Sequence, residues 1–166
     1  MDLMRVLRHL FTGPLAVRKA FPATALTAIE HAIAQSEFGH RGEIRFAVEA
    51  ALDMLPLVRA TSARDRAVEV FSQLRVWDTE HNNGVLIYLL LADHNVEIIA
   101  DRGIDAKVSH EGWETICREM ETYFSQGQFE SGVISGIQSV GCHLQEHFPV
   151  GQENGENELP NKPVIL

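Results

Sequence analysis

The chain has 166 residues, 45% of them hydrophobic and 22% charged, with 14 Lys+Arg against 23 Asp+Glu and a formal net charge of −9. This is the composition of one ordinary globular domain with a real core, and its acidic balance excludes nucleic acid as a partner unless a local basic patch exists; the sequence contains none. Cys117 and Cys142 stand outside any CxxC pair, which excludes a disulfide framework or a thiolate zinc site and fits a reducing compartment.

Met1 to Lys19 reads as an amphipathic arm, with Leu3, Val6, Leu7, Leu10 and Phe11 at helical spacing around Arg5, Arg8 and His9, and with Gly13-Pro14 as a breaker. The basic residues interrupt what would be the apolar core of a signal peptide, and no run of about 18 apolar residues occurs to span a membrane, so the expected location is cytoplasmic. The arm is taken as residues 1–21, a packed helix or a surface anchor. Pro22 suits a first helical turn, and Leu26, Ile29 and Ile33 make an apolar stripe behind it.

Gly42 to Ala50 alternates Ile44, Phe46 and Val48 with Glu43, Arg45 and Glu49, which predicts a half-buried strand whose polar face lies outside the deep core. Ser62 and Asp65 resemble a capping box, and Ala67, Val70, Phe71, Leu74 and Trp77 continue a helix from it. Gly84 to Leu91, GVLIYLLL, is apolar on both faces and predicts a central strand covered on both sides. The short Asp93-His94-Asn95 link predicts an antiparallel return through Val96 to Ala100.

Two further helices carry stripes of Trp113, Ile116, Cys117, Met120 and Phe124, then of Val133, Ile134, Ile137, Val140, Leu144 and Phe148. Gly132, Gly136 and Gly141 weaken the second as a helix, which close packing against a neighbour would offset. Phe148-Pro149 closes the domain, residues 22–149. Residues 150–166 read as an acidic flexible tail whose last residues, Pro163 to Leu166, have the character of a docking segment.

This order of elements implies an α/β sandwich with a small mixed β-sheet. The helix after Ser62 acts as a crossover, so its flanking strands should run parallel, and three distant segments should meet at one sheet edge: Glu37 to Glu43, Asp78 to Asn83, and Asp101 to Asp105. Their polar residues include Glu37, His40, Glu43, Asp78, Thr79, Glu80, His81, Asn82, Asn83, Asp101 and Asp105. Carboxylates and amides are hard oxygen ligands suited to calcium or magnesium, and the C-terminal end of the crossover helix, directed here, favours a cation. The rival reading is a set of ordinary solvated turns. Arg45 and Arg102 are the cations best placed to hold a phosphate ester, or else they form ion pairs with neighbouring carboxylates. Glu37-x-x-His40-x-x-Glu43 offers one imidazole and two carboxylates, but spans a helix end and a strand start, and an ion pair or cap is the alternative use. His143 and His147, at i and i+4, would hold a metal only with a third ligand.

The runs SEFGHRGEIRFAVEAAL from Ser36 to Leu52, RAVEVF from Arg66 to Phe71, NNGVLIYLLLADHNVEIIADRGID from Asn82 to Asp105, and HFP at His147 to Pro149 resemble the TPM domain family. The match spans nearly all of Pro22 to Pro149, and Asn157-Glu158-Leu159-Pro160 looks like the end of bacterial members. The resemblance implies a three-layer α/β/α sandwich. It also implies divalent-cation binding, as in bacterial members, or the acid phosphatase activity associated with a plant member, and a membrane-associated, LemA-like partner. The family motifs fall on Asn83-Gly84 and Asp101-x-Gly103-x-Asp105, while Glu37, His40 and Glu43 match a bacterial subgroup. Expected metal ligands are therefore Asp78, Asn83, Asp101 and Asp105, with Glu37, His40, Glu43, Arg45, Thr79, Asn82 and Arg102 as the remaining cleft residues. In the phosphatase alternative Asp101 orients water and His40 protonates the leaving group.

Overall fold

The computed structural model describes residues 3–53, 61–151 and 156–166. Helices α1 (Leu3–Phe11) and α2 (Pro14–Ala20) are separated by Thr12-Gly13, and α3 (Ala23–Glu37) follows Pro22, which sits at the cap position in an extended conformation. Strand β1 (Glu43–Glu49) leads to α4 (Ala63–Gln73), where Ser62 and Asp65 form the reciprocal capping box that their spacing predicts. Strands β2 (Gly84–Leu90) and β3 (Asn95–Ala100) are joined by a short turn in which His94 takes a left-handed conformation with φ 50. The short α5 (Arg102–Asp105) precedes the long helices α6 (His110–Ser125) and α7 (Phe129–His147), and β4 (Val164–Ile165) ends the chain.

The sheet order is β3-β2-β1-β4, with β1 parallel to both β2 and β4 and β2 antiparallel to β3. Alternation along the strands divides the core between two faces. Ile44, Phe46 and Val48 of β1 and Val85, Ile87 and Leu89 of β2 join the apolar stripes of α3, α6 and α7. On the opposite face, Ala47, Leu86, Tyr88 and Leu90 meet Ala67 and Val70 of α4 and Leu159 near the C-terminus. The result is the three-layer α/β/α sandwich with a mixed sheet. The glycines of α7 work by contact: a Cβ at Gly136 would overlap the Met120 side chain, and one at Gly132 would reach Tyr123 and Phe124, so these α6 side chains seat directly on the α7 backbone.

Three local expectations differ from the structure. The polar face of β1 is buried, with Glu43 5% and Arg45 6% exposed, because the C-terminal segment lies over it. Residues 156–162 of that segment, expected to be flexible, are tied down through burial of Leu159, while its last residues dock as their character suggested, Val164 and Ile165 pairing with Ala47 and Val48. Helix α4 stops at Gln73, and Arg75 at φ 53 turns the chain so that Val76 is buried while Trp77 points outwards. The N-terminal arm, expected as a packed helix or a surface anchor, packs into the core through Val17 and Phe21. The Phe21 ring lies 5.6 Å from Phe46 and 5.8 Å from Phe129.

Candidate functional site

The three polar segments do converge at the edge where β1 and β2 begin and β3 ends, and main-chain bonds hold them there. The Glu43 amide donates to the Asn83 carbonyl at 3.3 Å, and the Asn83 side-chain amide donates to the Arg41 carbonyl at 3.0 Å. On the other side, the Asp101 amide donates to the Gly84 carbonyl, and the Gly103 amide to the Asn82 carbonyl, both at 2.9 Å. Asn82 takes φ 51, a conformation that Asn tolerates well. Gly103 then approaches so closely that a Cβ there would lie 2.5 Å from the His81 and Asn82 carbonyl oxygens, which is why glycine is required in Asp101-x-Gly103.

The residues of the edge fall into two groups. Around Gly84 lie Asn83, 0% exposed, and Asp101, 8% exposed. Asp101 caps α5, its Oδ1 accepting from the Arg102 amide at 2.7 Å, but its Oδ2 is buried with no hydrogen-bond partner, and so is Oδ1 of Asn83. A buried oxygen without a donor costs about 1–3 kcal/mol, more if charged. Thr79 contributes indirectly by accepting from the Asn83 amide at 3.1 Å. Asp78 and Asp105 go elsewhere: Asp78 is exposed and pairs with Arg75 at 2.7 Å, and Asp105 accepts from the Trp113 indole at 3.1 Å. Asn82 and Arg102 are exposed at the rim.

The second group lies on the β1 side, lining a cleft of about 290 Å³ that includes Glu37, His40, Glu43 and Glu158. Glu37, at the end of α3, accepts from the Ile44 amide at 3.1 Å. Burial, with the neighbouring Glu43 adding to it, raises its carboxyl to about 8 against the bond from Ile44, so this acid keeps its proton near neutrality. Glu43 is also raised, chiefly by burial, although it accepts the Glu158 and Leu159 amides at 3.0 and 3.2 Å. Arg45 donates to the carbonyls of Pro160 and Lys162. The His40 ring is engaged at both nitrogens, Nδ1 at 3.0 Å from the Gly42 carbonyl and Nε2 at 3.0 Å from the Ser36 hydroxyl, and burial favours its neutral form. It braces the turn between α3 and β1.

The residues that sequence reasoning missed here are Glu158, Leu159 and Asn161, read as part of an acidic tail. Their one legible signal is the apolar Leu159-Pro160 within a polar stretch. Because Glu43 holds two main-chain amides of this segment, Glu43→Ala is expected to cost about 1.5–3 kcal/mol and to speed exchange of the Leu166 amide, bonded to the Val48 carbonyl at 3.0 Å, about tenfold or more. Hydrogen exchange measured by NMR checks this, and unchanged protection at Leu166 would show the strap to be held by β4 alone.

Among the described residues, no three His, Cys, Asp or Glu side chains are grouped so as to hold a metal, which covers the His143 and His147 pair. Any cation at the edge must rely on amide and main-chain oxygens and on water besides the Asp101 carboxylate, a donor set that suits calcium or magnesium and not zinc. Neither cysteine has the features of a nucleophile: burial pushes the Cys117 thiol up to about 12, and Cys142 is exposed. No helix among the described residues is long and apolar enough to cross a membrane.

Comparison with known proteins adds three findings. A family model described as TPM domain matches residues 18–142. The NMR structure of BA42 protein from the psychrophilic bacterium Bizionia argentinensis is similar, with a TM-score of 0.77 at 33% identity, covering 88% of this chain and 95% of that one. No curated protein matches the chain.

Proposed function

Because the chain belongs to the TPM domain family, we propose that it binds a divalent cation, calcium or magnesium, at the sheet edge beside Gly84 and acts as an accessory, interaction protein rather than through covalent catalysis. The observation that carries this reading is the pair of buried, unpartnered oxygens, Asn83 Oδ1 and Asp101 Oδ2, on the residue before Gly84 and on the residue whose amide donates to the Gly84 carbonyl. A hard cation supplies what both lack, and magnesium in particular binds through one or two carboxylates while keeping several waters. Hydrolysis of phosphate monoesters draws less support. The residue expected to protonate the leaving group, His40, already spends both ring nitrogens on Gly42 and Ser36.

Thermal melts of the full chain in excess EDTA and in calcium, magnesium or zinc test the proposal. A ligand selective for the native state at a hundredfold excess over its Kd adds about 2.7 kcal/mol, expected here as a rise of about 5–10 °C with calcium or magnesium and none with zinc. Asp101→Asn keeps an oxygen to cap α5 yet removes the charge, so its melting point in EDTA should stay near that of the parent while the metal response disappears. Identical melts with all three metals would reduce the edge to ordinary solvated turns.

A further inference from the structure

Helix α1 sits on the domain the wrong way round for a soluble helix. His9 is 5% exposed, accepts the Leu52 amide at Nδ1 at 2.9 Å and places Nε2 3.2 Å from Asp93. Arg5 and Arg8 reach the same carboxylate, at 2.9 and 3.4 Å. The polar side of the helix is therefore the side that holds it to the protein. Its apolar side, Leu3, Leu7, Leu10 and Phe11, faces outwards, with Leu3 65% and Phe11 85% exposed, and Leu15 at the start of α2 extends the patch at 77%.

Apolar side chains at helical spacing, left uncovered on one contiguous face, mark a surface that meets something apolar. Charge identifies it. The first 19 residues carry Arg5, Arg8, Arg18 and Lys19 against a single acidic residue, Asp2, in a chain whose totals are 14 Lys+Arg and 23 Asp+Glu. Arg5 and Arg8 are answered by Asp93, which leaves Arg18 and Lys19, three and four residues after Leu15 on α2 and both exposed, as the cations beside the patch. Salt screens charges beyond about 8–10 Å, so these two weigh more on an approaching surface than the chain's overall negative charge.

We propose that α1 and α2 form an interfacial anchor that seats this protein on an anionic lipid bilayer, with Leu3, Leu7, Leu10, Phe11 and Leu15 entering the acyl boundary and Arg18 and Lys19 meeting lipid phosphates. A second copy of the chain fits less well, because it offers the same cations and no acidic group to meet them. The Asp93 contacts fix the helix in advance, so binding does not bear the ordering cost that a free nine-residue peptide would meet.

Co-sedimentation with phosphatidylcholine vesicles, with and without phosphatidylglycerol, tests this on the full chain. Binding is expected to the phosphatidylglycerol vesicles and to fall with added salt, with each basic residue contributing about fivefold to the partition coefficient. Leu10→Ser with Phe11→Ser should lower it about tenfold or more, and Arg18→Glu with Lys19→Glu should abolish the preference for anionic lipid. All four side chains are exposed, so unchanged melting points report that the variants fold. Absence of binding by the parent chain, or binding that survives Leu10→Ser with Phe11→Ser, overturns the proposal. Self-association of the parent chain that this pair removes, without any vesicle binding, assigns the face to a second copy and overturns it equally.

Discussion

Replacing Gly84 by Ala is expected to cost at least about 3 kcal/mol and to lower the melting point by about 6–12 °C. The position is the first residue of β2, paired with Glu43 of β1, and its carbonyl accepts the Asp101 amide at 2.9 Å. A Cβ at this point would run into the carbonyl oxygen of Val76, the buried residue where the chain returns from α4, and would crowd its carbonyl carbon and Cγ1, each at 3.1 Å. Overpacking against a flexible side chain is relieved by a rotamer change, but here the obstacle is main chain and the strand is bonded on both sides. The collision can be relieved only by lifting β2 from β1 or β3, or by displacing the turn at Val76. Thermal or denaturant melting checks the magnitude, and a variant within about 2 °C of the parent would mean that the turn yields freely.

The second large effect is on pH dependence. The Glu37 carboxyl is raised from 4.5 to about 8, mainly by burial and further by Glu43. Below pH 4.5 folded and unfolded chains both hold the proton, and Glu37 contributes no pH dependence. Between 4.5 and about 8 the folded state keeps a proton that the unfolded chain has released, so stability declines as pH rises through this window and levels off above it. The expected loss is on the order of 2–4 kcal/mol, and Glu43, raised in the same direction, adds to it. Glu37→Gln retains an oxygen to accept the Ile44 amide, bonded at 3.1 Å, and has nothing to titrate. Its advantage over the parent should therefore be absent near pH 4.5 and grow to a plateau above pH 8. Paired melting curves across this range check the sign, and a constant difference would place the Glu37 charge in solvent contact.

The fold was legible wherever a local pattern had a single outcome. The capping box at Ser62, the two-sided run of Gly84 to Leu90 and the short link into β3 each restrict the chain to one local structure, and together they dictate parallel and antiparallel partners and hence which loops share an edge. Alternation along β1 was read as one face in water because the covering element lies more than a hundred residues away: the main chain from Glu158 to Lys162 neutralises Glu43 and Arg45 by hydrogen bonds that leave no periodic trace in sequence. The edge was foreseen as a place, but the assignment of its carboxylates was not. Asp78 and Asp105 have the same chemistry as Asp101 in the sequence, and only tertiary contacts with Arg75 and Trp113 set them apart. The amphipathic pattern of α1 was equally visible, yet which side faces the domain depends on the single carboxylate of Asp93, distant in sequence.

Amide chemical shifts recorded during calcium titration of the full chain test the cation-binding edge most directly. The account predicts saturable shifts centred on Asn82 to Gly84 and on Asp101 to Gly103, reproduced more weakly by magnesium and lost in Asp101→Asn. Shifts confined to Glu37, Glu43 and Glu158 across the edge, or no shifts at all, would contradict it.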